Sequence, residues 1–291
     1  MDAAPATLVD PPRPVRDAEH ELRVLASGID HAECVAWSDG AVWCGTETGK
    51  LLRIELDGSV EVVADTGGFL TGIAFDGDGN CYGCDIGLAA VVRIGRDGRV
   101  EPFVEAVSGR RLTIPNYPAF SADGTLWVTD SGTRWASDDG YLFRVPRGGE
   151  PERVDDACRR FPNGLAWSPG EAALYLVESR LPGVVRYGSD GRREEWLRLE
   201  ATVPDGLAFD RDGTLYVSCW RPDRVYRLRP GYELEVYLDD WTAEYLNSPT
   251  NACFIGAGLE RLCFASLCGR LITELDAEAP GLPLARPELS A

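Results

Sequence analysis

Apolar positions in this chain recur in short runs separated by turns rich in aspartate and glycine. The runs VWCGT, CYGCD, LWVTD, LYLVE, LYVSC and LCFAS are dominated by aromatic and aliphatic residues, several of them β-branched, which predicts strands rather than helices. Turns such as DGDGN at 76–80, SADGT at 121–125 and DRDGT at 210–214 carry Asp-Gly pairs that accept the positive φ angles of tight hairpins. No stretch shows the sustained 3.6-residue period of a long amphipathic helix. Each of these runs is preceded by another that ends in an aromatic residue, namely Trp37, Phe75, Phe120, Trp167, Phe209 and Phe254, at spacings of 38, 45, 47, 42 and 45 residues. A repeat of that length holding four strands is the signature of a propeller blade. The expected fold is therefore all-β: a six-bladed β-propeller with four antiparallel strands per blade. After RLITEL the sixth repeat runs into DAEAPGLPLARPELSA, too rich in proline for a ladder strand. The N-terminal run ELRVLAS supplies the missing strand, closing the ring and removing two exposed edges. The chain thus divides into a flexible arm over residues 1–20, one propeller domain over 21–285, and a C-terminal tail over 286–291.

Four positions before each of these aromatics stands an oxygen-bearing side chain: Glu33, Thr71, Asn116, Asn163, Asp205 and Thr250. Equivalent positions of a closed ring face its axis, so this column gathers two carboxylates and two carboxamides at the mouth of the central tunnel. Glu33, Asn116, Asn163 and Asp205 are the expected ligands of a hard cation. Calcium takes about six to eight oxygen ligands, so four from the protein leave places for water and substrate. Zinc prefers nitrogen or sulfur, which the column lacks. Thr71 and Thr250 are expected to be wall.

Charge and rare residues narrow the chemistry. The 291 residues carry a net charge of −18, which disfavours nucleic acid and anionic membranes as partners. No run approaches the length of a membrane span, and the first residues lack the apolar core of a signal peptide, so the chain reads as soluble and cytoplasmic. Nine scattered cysteines suggest reduced thiols. Cys81 and Cys84 spell C-x-x-C within a strand, where alternation sends them to opposite faces. With only His20 and His31 present, hydrolytic triads are disfavoured. No phosphate-binding glycine loop or dinucleotide fingerprint occurs, so no organic cofactor is expected.

The segments PNYPAFSADGTLWVTDSG, NGLAWS, PDGLAFDRDGTLYVS and SPTNACFIG resemble the gluconolactonase and regucalcin (senescence marker protein) family, over about residues 21–285 and the tail GLPLAR. That resemblance implies a six-bladed propeller with a divalent cation, commonly calcium, at the axis, and hydrolysis of lactones. It assigns Glu33 to the glutamate of the first blade, Asn163 and Asp205 to the metal-binding residues of NGL and DGL, and Asn116 to an asparagine touching metal or substrate. Two positions depart from it. The usual Glu-Gly-Pro is Glu33-Cys34-Val35 here, and the aspartate that usually follows the third-blade asparagine is Tyr117.

The leading expectation is a calcium-dependent hydrolase of a lactone or related ester, with zinc, manganese and magnesium left open as the ion. In that reading the ion polarises the carbonyl and Asp205 is the acid/base residue. A second column, Thr46, Asp85, Asp130, Glu178, Cys219 and Ser266, begins the loops flanking the same mouth. Arg111, Tyr117, Asp130, Arg134, Trp135, Arg180 and Trp220 are the candidate substrate contacts, arginines for an oxyanion and tryptophans for an apolar wall. The alternatives are a cyclase, isomerase or lyase on the same site, and a non-catalytic calcium-binding propeller. The expected partner is a small-molecule substrate; the chain carries no signal for its oligomeric state.

Overall fold

Strand, tight turn and strand repeat along the whole chain, so each local hairpin pairs with the next and four of them make a blade. The computed structural model describes residues 13–289. The first blade contains Ala32–Ser38, Ala41–Thr46, Lys50–Ile54 and Val60–Asp65, each antiparallel to its neighbour. Four further four-stranded blades follow in chain order, with inner strands Leu70–Phe75, Pro115–Phe120, Pro162–Trp167 and Val203–Phe209. The sixth is composite. Pro249–Ile255, Arg261–Ser266 and Leu271–Asp276 are completed by Arg23–Ser27 from the other end of the chain. The ring is therefore closed by the N-terminal strand.

The core is divided among the junctions between blades. Six clusters of buried residues each join one blade to the next, including one between blades six and one that contains Val35, Val42, Ile255 and Ile272. Cys81 packs toward blade one and Cys84 toward blade three, on opposite faces of their strand. The described cysteines are free thiols, and all but Cys268 are buried.

Of the arm expected over residues 1–20, residues 1–12 lie outside the described residues. Val15 and Arg16 donate backbone hydrogen bonds to Val236 and Tyr237 on the outer strand of blade five. A single helical turn, Ala18–Glu21, follows, capped by Asp17. At the other end, residues 280–289 cross the rear of the disc. Leu282 N–H donates to Phe209 O, Gly77 N–H donates to Pro287 O, and Arg286 donates to Trp37 O and Ser38 Oγ.

One irregularity positions the axial side chains. Every inner strand slips register against its second strand at the same place: Ala32 to Cys34, Leu70 to Ile73, Pro115 to Pro118, Pro162 to Leu165, Pro204 to Leu207 and Pro249 to Ala252. In five blades two inner-strand residues oppose one, as Asn116 and Tyr117 oppose Thr129; in blade one Glu33 is the unpaired residue. These are β-bulges, which break simple alternation and re-aim side chains. The column residue lies inside the bulge in all six blades.

Candidate metal centre

The two carboxylates of the column lie within electrostatic reach of each other, with no cationic side chain paired to either among the described residues. Glu33 Oε2 is buried and has no hydrogen-bond partner among the described residues. Burial, then the charge of Asp205, then that of Glu47, hold the Glu33 carboxyl well above its usual range. Burial pushes Asp205 up to about 8, against the opposing effect of a hydrogen bond from Asn163. Two half-buried acids close enough to repel, one with a buried oxygen left unpaired, form an incomplete electrostatic unit.

The asparagines are aimed by serines. Asn116 Nδ2 donates to Ser131 Oγ at 3.0 Å, and Asn163 Nδ2 donates to Ser179 Oγ at 3.2 Å. Each serine hydroxyl donates its own hydrogen to the next blade, Ser131 to Pro162 O and Ser179 to Pro204 O, both at 2.7 Å. With that hydrogen committed, each Oγ can only accept from the asparagine. The amide orientation follows from the network, and each carboxamide presents Oδ1 as its free end. Asn163 is hydrogen-bonded to Asp205, whose charge acts on Glu33, and Asn116 is joined to them through Ser131 and the strand that carries Asn163.

The donor set therefore fits a hard divalent cation. It offers two carboxylates and two carbonyl-type oxygens, with an orphaned acceptor and outer hydrogen bonds that orient the ligands. Thr71 donates to Pro115 O and Cys84 O, and Thr250 donates to Glu33 O, so both threonines tie neighbouring strands together as wall.

The second column lies in register opposite the residue just before the bulge of each inner strand, as in Ala32 with Thr46, Pro115 with Asp130 and Pro204 with Cys219. Asp130 is fully buried and accepts from Thr113 N, Thr113 Oγ1, Ile114 N and Gly132 N. It caps loops and has no oxygen to offer a ligand. Asp85 does the same for Phe69 N and Leu88 N, and Glu178 accepts from Arg160 N and pairs with Arg193. The residues that bear on the site are the ones immediately after, Glu47, Ser131 and Ser179, which sequence reasoning passed over. Strand alternation was the available signal: if Asp130 points into the blade, Ser131 points to the axis.

The remaining candidates are dispersed. Trp135 is 47% exposed on the loop after Ser131, its ring 4.7 Å from that of Phe161. Arg134 is exposed on the same loop, and Arg180 is anchored to Ser137 O and Asp138. Trp220 is half-buried beneath the Arg221 guanidinium at 4.7 Å, its Nε1 without a partner among the described residues. Arg111 sits on a two-residue hairpin strand, largely exposed, beside Glu105. His31 lies beside Asp30, 2.9 Å away, and near Glu47.

Tyr117 does something different. Its hydroxyl accepts from Asn251 Nδ2 at 3.0 Å, and Asn251 belongs to blade six, opposite blade three across the ring. Beyond it, toward the rear, lies a cavity of about 480 Å³ that none of the six column residues lines.

Residues 31–267 match the family model described as SMP-30/gluconolactonase/LRE-like region, and the chain belongs to that family. A gluconolactonase of Zymomonas mobilis is 25% identical over 268 residues, covering 75% of this chain and 72% of that protein. A diisopropyl-fluorophosphatase of Loligo vulgaris is 28% identical over 210 residues, covering 62% and 66%. The solved structure of a gluconolactonase from Xanthomonas campestris superposes with a TM-score of 0.74 at 25% identity, covering 88% of each chain. Family and relatives together support a hydrolase of the lactone or ester type. No helix among the described residues is long and apolar enough to cross a membrane.

Proposed function

We propose that the protein is a calcium-dependent hydrolase of a lactone or related ester, with Glu33, Asn116, Asn163 and Asp205 holding the ion. The observation that carries this reading is the half-buried Glu33 and Asp205 pair, with one buried oxygen unpaired, beside two asparagines whose carbonyl oxygens are left free by Ser131 and Ser179. When bound, calcium supplies Lewis acidity at the substrate carbonyl and neutralises the two acids. Asp205 takes a proton from the attacking water and returns it to the leaving alkoxide, a role open to a carboxylate that lines the mouth of the site. Asn163 holds Asp205 in place through its amide. Trp135 and Trp220 wall the mouth, and Arg134 and Arg180 favour a substrate bearing an oxyanion. Membership of the family and the lactonase names of its relatives support this chemistry.

A pH-stat screen of aldonolactones, acyl-lactones and aryl esters, with calcium and then with chelator, tests the reading. Turnover is expected with calcium, to disappear in chelator, and to fall by about two orders of magnitude or more in Asp205→Asn. Calcium binding without turnover of any ester overturns hydrolysis and leaves a non-hydrolytic reaction or a calcium-binding propeller.

A further inference from the structure

The position directly after the metal column forms a second ring around the axis: Cys34, Gly72, Tyr117, Gly164, Gly206 and Asn251. Three members are glycine, and the two longest stand in blades three and six, which face each other. Tyr117 reaches across and its hydroxyl meets Asn251 Nδ2 at 3.0 Å. Asn251 is itself held, because its Oδ1 accepts from Val35 N at 3.1 Å, which leaves Nδ2 as the end turned to the tyrosine. The glycines let neighbouring blades pack closely at this level. A Cβ on Gly72 would stand 2.6 Å from Asn116 O and 2.7 Å from Tyr117 Cα, and one on Gly206 would stand 2.6 Å from Thr250 O and 2.9 Å from Asn251 Nδ2.

What lies on the two sides differs in chemistry. In front are the oxygens of the metal column. Behind is the cavity of about 480 Å³, of which Tyr117 is part of the wall. One small side chain per blade lines it, namely Ala36, Ala74, Ala119, Ala166, Ala208 and Cys253, and Leu282 and Leu284 of the tail close it from the rear. An apolar compartment wide enough for an acyl chain thus sits in line with a polar one.

We propose that the Tyr117–Asn251 pair is a crossbar that separates the two compartments and sets the depth of the substrate site, making Tyr117 a specificity-determining residue. Substrates then end above the ring of Tyr117, and the apolar space behind it is closed to them from the front. The substrate arm of the test rests on the hydrolase reading above; the thiol arm does not.

Cys253 reports on the rear compartment, and the exposed Cys268 serves as an internal reference. Alkylation by iodoacetamide, followed residue by residue by mass spectrometry, is expected to accelerate about tenfold or more at Cys253 in Tyr117→Ala and to stay at the wild-type rate in Tyr117→Phe, which keeps the ring. In the same variant the preference for an octanoyl over an acetyl aryl ester is expected to rise about tenfold, through KM. Tyr117→Leu replaces the alanine variant where that one melts early. A wild-type rate at Cys253 in Tyr117→Ala or Tyr117→Leu, in whichever melts like the parent, overturns the proposal. Faster alkylation with no ester turned over by either protein supports the crossbar and removes the hydrolase reading.

Discussion

The two asparagines of the candidate centre depend on neighbours that are not ligands. Ser131 and Ser179 decide which end of Asn116 and Asn163 faces the axis, so Ser131→Ala or Ser179→Ala is expected to weaken calcium binding by about ten- to a hundredfold, read by titration calorimetry. Glu33 and Asp205 couple the site to pH. Without a cation, Asp205 in the folded protein holds a proton up to about pH 8. The unfolded chain releases that proton near pH 4, at the ordinary carboxylate value of roughly 3.9. The folded state therefore binds more protons across that window, and this contribution to stability is full below it and lost as pH rises through it. A calcium ion held by these acids would displace the proton and remove the loss. Urea unfolding at pH 5 and pH 8 is expected to show a larger stabilisation by calcium at pH 8; equal stabilisation at both would mean that the acids do not hold the ion.

At the scale of the strand and its loop, two adjacent residues divide structural and functional work. Asp130 ends its strand facing into the blade and caps three backbone N–H groups and a hydroxyl, while Ser131 turns to the axis. Asp130→Ala leaves those donors unpaired and is expected to lower the unfolding free energy by about 3 kcal/mol, with calcium affinity of the folded protein close to wild type. Urea melts and calorimetry on the same preparation separate the two. The strands, their turns and the composite sixth blade were legible from apolar runs, Asp-Gly pairs and the proline-rich end. The bulges were not. A bulge is a property of how two strands pair, and the residues within it, from Glu33 in blade one to Asn251 in blade six, share no composition that marks it.

Across the molecule, the ring is held by its closure. Arg23–Ser27 pairs with Leu271–Asp276 in the only blade built from both ends of the described chain. Removing residues 1–28 exposes the edge of Leu271–Asp276 and uncovers Ile272 in the junction between blades six and one. The melting temperature is expected to fall by on the order of 10 °C or more, or the protein to be recovered only as aggregate. An unchanged melt would show that the ring does not need its composite blade. The tail adds a second long-range element, tying the rear of blades one, two and five together while flooring the axial cavity.

The sequence by itself determined the strand pattern, the six repeats and the types of side chain that each repeat brings to the axis. These are local properties, written in alternation and in spacing. Tertiary structure alone decided which atoms those side chains present and which of them meet. Asn116 and Asn163 became carbonyl donors only because a serine on the neighbouring strand commits its hydrogen to the next blade. Tyr117 meets Asn251 although 134 positions separate them, because the closed ring sets blade three against blade six. A column of equivalent positions names the members of a ring. Which members reach across it depends on their length and on the backbone bulge that aims them.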